Sequence, residues 1–212
     1  MNICYIACAL DAELDFIRDE KDLVIGADRG YLNLKRCQIE PDVVIGDFDS
    51  YKGEVLCENI LKLPTVKDET DCEAAIKYAI EKGYKHIIIY GAIGGALDHT
   101  IANIAHLRGY TEKGIRVEYI DGENVLFAIN SSKIDFSSSA NGRISIFSAS
   151  EKSIGVNIKG LYYELSNATL YNSIPLGVSN EFVSKKSTVS VEKGTLYIYT
   201  SKKNCKNILT NS

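Results

Sequence analysis

The chain has 212 residues, of which 45% are hydrophobic and 25% are charged, as is usual for a globular protein. Its formal net charge of −4 argues against a nucleic-acid-binding surface, because such surfaces carry an excess of basic residues. The sequence shows neither an apolar run long enough to span a membrane nor the pattern of a secretory signal, so we expect neither. The six cysteines form no C-x-x-C pair, which favours reduced thiols in the cytoplasm over a zinc site.

The first fifty residues predict three strands that alternate with two helices. The strands are apolar runs of the right length, at residues 2–9, 23–27 and 43–45. Residues 11–20, in which Leu14 and Ile17 lie three positions apart, predict a short helix, and residues 31–35 predict another. Such alternation is typical of a mostly parallel, Rossmann-like α/β domain with crossover helices.

Residues 61–121 continue the same alternation. Further strands are predicted at residues 61–63, 86–90 and 115–120. Thr70 followed by Glu73 is a capping-box pattern, which predicts the start of a helix that Gly83 ends. A second helix is predicted to follow Asp98, which would be its N-cap. The side of this helix expected to be buried comprises Ile101, Ile104, Ala105 and Leu107.

The sequence pattern changes at about residue 121. From Glu123 onward, short alternating runs are separated by turns, as in antiparallel β structure. Residues 187–192 and 195–199 are joined by Lys193-Gly194 and predict a hairpin. We therefore expect an α/β domain over residues 1–121 and an antiparallel β-sandwich over residues 122–212.

Several acidic residues stand where parallel strands end or helices begin. Asp28, Asp47 and Asp49 follow predicted strands, whose carboxyl ends meet at one edge of a parallel sheet. Asp71 and Asp98 stand at predicted helix starts and can face the same edge. An acidic surface turn, or an acid that only stabilises its helix, would also explain each residue separately. Together, however, they favour Mg²⁺ bound between carboxylates and substrate phosphates.

The segment from Gly91 to Gly95 contains three glycines between a predicted strand and a predicted helix. Such a loop suits a phosphate, although it matches neither the P-loop nor the G-x-G-x-x-G pattern. His99 by itself fits a helix-start or packing residue. The residues thus predict a Mg²⁺-dependent enzyme acting on a phosphorylated ligand, with phosphoryl or nucleotidyl transfer as the leading class and metal-assisted hydrolysis as the second.

Five segments in this order resemble the bacterial thiamine pyrophosphokinase family: residues 26–30, 41–50, 67–71, 94–99 and 177–181. The resemblance implies transfer of the pyrophosphoryl group of ATP to the hydroxyethyl oxygen of thiamine, which gives thiamine diphosphate and AMP and requires Mg²⁺. It also implies a homodimer, with thiamine bound between the α/β domain of one subunit and the β domain of the other.

The same resemblance implies roles for individual residues. Asp47, Asp49 and Asp71 would hold Mg²⁺ and the ATP phosphates. The remaining nucleotide-binding positions would be Asp28, Arg29, Lys67, Thr70, Gly94, Gly95 and His99. Asp98 would lie near thiamine. The chemistry of the reaction adds a hypothesis of our own, that either Asp71 or Asp98 accepts the proton of the attacking hydroxyl. Ser179 and Asn180 would contact the thiamine pyrimidine from the partner subunit.

Two alternatives stay open, and a departure from the family pattern is the reason for the first. Ala96 stands where the family usually has an arginine that serves a phosphate. A non-catalytic nucleotide-binding protein of the same fold is one alternative, against which the retained acids count. A related pyrophosphokinase acting on a hydroxymethyl pterin is the other, against which Ser179 and Asn180 count.

Overall fold

The computed structural model describes residues 2–48, 56–64, 69–205 and 208, and the chain divides into two compact units. Unit 1 comprises Met1–His106 and Gly114–Gly122, and unit 2 comprises Leu107–Lys113 and Glu123–Ser212. Within the described ranges, no helix has the length and apolar character needed to cross a membrane.

Unit 1 is built on parallel strands, as the sequence predicts. Their bounds are Ile3–Ala7 (β1), Leu23–Ala27 (β2), Val43–Gly46 (β3), Ile60–Lys62 (β4), His86–Tyr90 (β5) and Arg116–Asp121 (β6). They are ordered β4-β3-β2-β1-β5-β6, and each neighbouring pair is parallel. Strands β1 to β3 are buried along almost their whole length, which explains why they read as continuous apolar runs.

The helices that begin in unit 1 are Gly30–Arg36 (α1), Asp71–Glu81 (α2) and Leu97–Glu112 (α3). The predicted cap of α2 is confirmed, because Thr70 is the N-cap and its Oγ1 accepts a hydrogen bond from the N–H of Glu73 at 3.1 Å. Helix α3 begins at Leu97, so Asp98 lies in its first turn and the prediction of Asp98 as the N-cap is wrong.

The predicted helix over residues 11–20 is also wrong, because this segment has no regular secondary structure. Phe16 stacks on Tyr5 of β1, with ring centroids 3.9 Å apart and planes 8° apart. Leu14 is buried, whereas Ile17 is 90% exposed, so the two residues do not share one face of a helix. Tertiary contacts therefore override the weak helical periodicity of this segment.

The buried side of α3 differs from the one predicted from hydropathy. Ile101 and Ala105 are exposed, whereas Asn103 and Tyr110 are buried. Asn103 faces inward because its Nδ2 donates a hydrogen bond to the carbonyl of Ala92 at 2.7 Å. Asn103 is therefore buried because it hydrogen-bonds a carbonyl, although the apolar periodicity of the helix predicts an exposed position for it.

Unit 2 contains two antiparallel sheets, which confirms the predicted β domain. One sheet has the strands Gly177–Glu181 (β12), Arg143–Ser148 (β9), Thr195–Ser201 (β14) and Asn124–Asn130 (β7), in that order. The other has Leu165–Tyr171 (β11), Lys152–Lys159 (β10), Ser187–Ser190 (β13) and Lys133–Phe136 (β8). The short helix α4, Lys202–Cys205, follows β14.

The hairpin predicted around Lys193-Gly194 does not form. Strand β13 pairs with β8 and β10, whereas β14 pairs with β7 and β9 of the other sheet. Gly194 has a φ of +110°, and Lys193 bridges to Ile154, so this turn carries the chain from one sheet to the other. Alternating periodicity predicts both strands correctly, but it does not specify the partner of either.

A buried carboxylate links β5 and β6 at a distance from the carboxyl ends of the strands. Glu118 is 4% exposed, and its Oε1 lies 2.9 Å from His86 Nε2 and 2.6 Å from Arg116 Nε. Burial acts to raise the pKa of the Glu118 carboxyl, but the His86 hydrogen bond and the Arg116 charge outweigh it and lower the pKa.

Replacing Glu118 with Gln should lower the free energy of unfolding by about 1–3 kcal/mol at pH 7, because the half-buried His86 and the exposed Arg116 then lose the buried carboxylate that both contact. A lowered pKa in the folded state gives stability that is present at neutral pH and is lost on acidification. The difference from the wild type should therefore shrink below about pH 4. Urea unfolding of the wild type and the variant, at pH 7 and below about pH 4, measures this difference in stability. The exposed Glu81→Gln serves as the control. An equal loss of stability at neutral and acidic pH would contradict a lowered pKa of Glu118 in the folded protein.

Candidate active site

A cavity of about 460 Å³ lies at the carboxyl ends of β1, β2 and β5 in unit 1. Its size is within the range of small-molecule sites. The residues that line it follow these strands or begin helices α2 and α3. They are Cys8, Ala9, Leu10, Ala27, Asp28, Glu69, Thr70, Asp71, Cys72, Gly91, Ala92, Ala96, His99, Thr100 and Asn103. This is the sheet edge at which open α/β sheets bind ligands.

Two glycines allow the segment after β1 to pack closely at this edge. A Cβ atom at Gly30 would lie 1.8 Å from the carbonyl oxygen of Ala7, so only glycine permits helix α1 to begin there. Gly91 has a φ of +69°, and a Cβ at this position would lie 2.3 Å from the carbonyl oxygen of Leu10. The segment after β1 is therefore packed between the first residue of α1 and the first residue of the loop that follows β5.

Asn33 completes the support of this segment, and sequence reasoning missed it. The residue is 3% exposed, and its Nδ2 donates hydrogen bonds to the carbonyl oxygens of Cys8 at 2.8 Å and Leu10 at 2.7 Å. Its Oδ1 accepts a hydrogen bond from Arg36 at 3.0 Å. The available signal was a polar residue between Leu32 and Leu34, which hydropathy alone interprets as a surface position.

Two residues with side chains adopt left-handed backbone conformations at strand ends. Asp28 has a φ of +47° and donates its N–H to the carbonyl of Ile45 at 2.7 Å, which ties the end of β2 to β3. Phe48, directly after Asp47, has a φ of +59°. A bulky residue rarely takes this conformation, and such strain tends to occur at functional sites.

The start of α2 brings Thr70 and Asp71 to the cavity. Asp71 is half-buried in the first turn, where the helix dipole favours a carboxylate. Cys8 and Cys72 are buried beneath them. A hydrogen bond with Cys72, together with burial, raises the pKa of the Cys8 thiol, so this thiol stays protonated at neutral pH. Carboxyl oxygens and the neutral Cys8 thiol therefore share the cavity.

The predicted site residues divide into four groups. Those that line the cavity are Asp28, Thr70, Asp71 and His99. Those in unit 1 that do not line it are Arg29, Asp47, Gly94, Gly95 and Asp98. Asp49 and Lys67 lie outside the described residues. Ser179 and Asn180 belong to unit 2. Sequence reasoning also missed the lining residues Glu69, Thr100 and Asn103. They carry no distinguishing signal, because polar residues are common in helices and just before them.

The donor chemistry of this region suits Mg²⁺, although the described part of the site is incomplete. Asp28 and Asp71 offer carboxylate oxygens at the cavity, and Asp47 follows the adjacent strand β3. Among residues 2–48, 56–64, 69–205 and 208, no three His, Cys, Asp or Glu side chains cluster closely enough to hold a metal ion. Mg²⁺ commonly takes one or two protein carboxylates and completes its ligands with substrate phosphates and water. The oxygen donors present are compatible with that arrangement.

In unit 2, Ser179 and Asn180 face different environments. Ser179 is exposed and has a φ of +57°, whereas Asn180 is 3% exposed. Oδ1 of Asn180 accepts hydrogen bonds from the N–H groups of Tyr163 and Glu181, each at 2.9 Å, and its Nδ2 donates to the carbonyl of Tyr163 at 2.7 Å. The amide of Asn180 is therefore used within unit 2.

Comparison with known proteins matches both units. A family model described as "Thiamin pyrophosphokinase, catalytic domain" matches residues 15–119, and one described as "Thiamin pyrophosphokinase, vitamin B1 binding domain" matches residues 131–196. The thiamine pyrophosphokinase of Bacillus subtilis (strain 168) is 31% identical over 185 residues, which cover 84% of this chain and 86% of that protein.

Solved structures give the same result. The crystal structure of thiamine pyrophosphokinase from Bacillus subtilis superimposes with a TM-score of 0.84 at 28% identity, covering 95% of this chain and 99% of that one. The enzyme from Geobacillus thermodenitrificans gives a TM-score of 0.81 at 26% identity, covering 95% and 98%.

The fold and these matches define a kinase-type transferase with an α/β unit and a β unit. More particularly, the chain belongs to the thiamine pyrophosphokinase family. The pterin-directed and non-catalytic alternatives are not favoured by the matches.

Replacing Asn33 with Ala should lower the free energy of unfolding by about 2–4 kcal/mol, since one buried and one partly buried hydrogen bond, to the carbonyls of Cys8 and Leu10, are lost. Asn59→Ala is the matched control, because Asn59 Nδ2 donates one exposed hydrogen bond, to the carbonyl of Asp42 at 3.0 Å. The control should change stability by less than about 0.5 kcal/mol. Urea unfolding compares the two variants, and equal effects would show that Asn33 does not support the segment after β1.

Proposed function

We propose that this protein transfers the pyrophosphoryl group of ATP to the hydroxyethyl oxygen of thiamine and releases thiamine diphosphate and AMP. One observation carries the proposal beyond family membership: Asp28, Thr70 and Asp71 line a single cavity at the carboxyl edge of the unit 1 sheet. This edge combines carboxylates, a helix N-terminus and a glycine-containing loop, which together suit a metal-bound polyphosphate.

The residues at the start of α2 have distinct proposed roles. The Thr70 hydroxyl accepts a hydrogen bond from the Glu73 N–H, which leaves its own hydrogen to donate to a phosphate oxygen. Asp71, with Asp47 and Asp49, would hold Mg²⁺, which when bound offsets the charge of the phosphates. The protonated Cys8 thiol offers no competing nucleophile.

The other nucleotide contacts remain proposals from the family pattern. Asp28 and His99 line the cavity, and Arg29 is the exposed N-cap residue of α1. Ala96 also lines the cavity, so the cationic side chain usual at that position is missing here. We propose that Arg29 or Lys67 supplies the positive charge that the missing side chain would bring to the phosphates. The backbone of Gly94 and Gly95 would form the loop that faces the phosphates.

The proposed reaction is an in-line displacement at the β-phosphorus of ATP. The thiamine hydroxyl oxygen forms a bond to this phosphorus while the bond to the oxygen bridging the α- and β-phosphorus breaks, and AMP leaves with that oxygen. The hydroxyl proton passes to a carboxylate, Asp71 or Asp98. Alignment and charge neutralisation matter more here than a strong base, so an ordinary carboxylate suffices.

We further propose that the enzyme is a cytoplasmic homodimer in which unit 2 of one subunit supplies Ser179 and neighbouring residues to the thiamine site of the other. The segment formed by residues 171–178, from the end of β11 to the start of β12, supports an interface, because it exposes several large apolar side chains. Their exposed fractions are 45% for Tyr171, 59% for Ile174, 63% for Leu176 and 53% for Val178. Apolar residues grouped in this way commonly mark protein contacts. The six cysteines, none of which forms a disulfide, fit a reducing compartment.

Purified protein supplied with ATP, Mg²⁺ and thiamine should form AMP and thiamine diphosphate in equal amounts, and chromatographic separation of the products measures both. Asp71→Asn should lower turnover by about 100-fold or more, because a ligand or base at the reacting phosphates is lost. The turnover of Asp98→Asn, measured in the same way, shows whether Asp98 or Asp71 accepts the hydroxyl proton.

The exposed Asp19→Asn serves as the control and should retain normal turnover. Formation of ADP, or AMP release that does not depend on thiamine, would overturn the proposed function. If Asp71→Asn and Asp98→Asn both kept near-normal turnover at saturating Mg²⁺, neither carboxylate could be the base.

Replacing Leu176 with Glu should convert the homodimer into monomers, because the interface would bury an unpaired charge. Sedimentation equilibrium of the wild type should give twice the mass of one chain. Ser138→Glu adds the same charge at another exposed position of unit 2 and should leave the dimer intact. A monomeric wild type, or a dimeric Leu176→Glu variant, would exclude this segment as the interface.

A further inference from the structure

Strand β12 carries one more residue than the stretch of β9 that it faces. Gly177 pairs with Ile146 and Asn180 pairs with Ile144, so the register shifts by one residue between them. Ser179 lies in this bulge with a φ of +57°. Bulges redirect the side chains beside them, and here the residue that follows Ser179 points into the protein.

The redirected side chain of Asn180 acts as a substitute for a strand partner. It accepts a hydrogen bond from the N–H of Tyr163 and donates one to the carbonyl of the same residue, at 2.9 and 2.7 Å. Two residues that face each other in an antiparallel sheet exchange this pair of bonds through their backbones. The amide therefore fixes the position of the Tyr163 backbone without a neighbouring strand.

This contact presents two aromatic rings on the surface of unit 2. Tyr162 and Tyr163 are each 65% exposed, and their rings meet edge to face with centroids 4.8 Å apart. The N–H of Tyr162 donates to the carbonyl of Glu181 at 2.9 Å, and Leu161 bridges to Phe182. The backbone on both sides of the rings is thus tied to β12 and the residues after it.

The two rings match the chemistry of thiamine. Thiamine has a flat aminopyrimidine and a thiazolium that is always cationic, and aromatic faces attract cations and stack with flat rings. All three residues lie within the segment matched by the vitamin B1 binding domain. Asn180, at 3% exposed, cannot present its amide to a ligand without breaking its bonds to Tyr163.

We propose that Asn180 is a positioning residue for thiamine, which acts by holding the Tyr162–Tyr163 segment and not by contacting thiamine itself. The inference rests on the proposed function, because it assigns a role within the same thiamine site. It replaces the direct contact that family resemblance implies for Asn180, and it leaves the exposed Ser179 free to meet the ligand.

A double-mutant cycle tests the proposal in the full-length protein. Calorimetric titration with thiamine, in the absence of ATP, gives the dissociation constant for the wild type, Asn180→Ala, the double variant Tyr162→Ala/Tyr163→Ala, and the combined triple variant. Asn180→Ala should weaken thiamine binding about tenfold in the wild-type background and less than about twofold when both tyrosines are absent.

Steady-state kinetics adds a readout that general destabilisation would not move. Asn180→Ala should raise the KM for thiamine by a similar factor and change the KM for ATP, and kcat at saturating thiamine, by less than about twofold. The matched control is Asn204→Ala. Asn204 is 1% exposed and makes the same two kinds of bond to the backbone of Asn141, at 3.2 and 2.9 Å. It should lower the melting temperature without changing thiamine binding.

The outcomes separate this inference from the proposed function. A wild type that binds no thiamine would overturn both. A wild type that binds thiamine, with Asn180→Ala binding equally well, would overturn the inference alone. If Asn180→Ala weakened thiamine binding equally with and without the two tyrosines, Asn180 would contact thiamine directly. This result would also overturn the inference. If Asn180→Ala does not fold, Asn180→Asp keeps the acceptor and removes the donor to Tyr163, and the same cycle applies.

Discussion

The close approach of helix α1 to the end of strand β1 is the constraint on which unit 1 depends. The helix can begin there because Gly30 has no side chain to collide with the carbonyl of Ala7. This approach brings Asn33 within reach of the carbonyls of Cys8 and Leu10, and the buried carbonyl of Cys8 thereby gains a donor away from water. The segment so held forms one side of the cavity that Asp28 and Asp71 also line.

Asparagine side chains perform the same task in both units. Asn33 and Asn103 hold carbonyls of loops in unit 1, and Asn180 and Asn204 each clamp the backbone of one residue in unit 2. A carboxamide suits this task because it carries both a donor and an acceptor, as a peptide group does. Backbone segments outside the regular strands are thereby fixed by single side chains.

Much of the local structure follows from the sequence. The parallel strands of unit 1 are continuous apolar runs because both faces of that sheet are covered, and the start of α2 follows from Thr70 and Glu73. The position of Asp28 and Asp71 at one sheet edge follows from the topology of parallel strands, and both line the cavity. The ordered motifs added the family, which the comparisons with known proteins support for both units.

The sequence by itself determined the parallel strands of unit 1, the helices α1 to α3 and the family, because these depend on short-range periodicity and on motif order. Only the tertiary structure decided which side of α3 is buried, where β13 and β14 find their partners, and that residues 11–20 form no helix. It also turned Asn180 inward, through a bulge that no local pattern predicts. In each case the deciding contact joins residues far apart in the chain, and local propensity carries no information about such contacts.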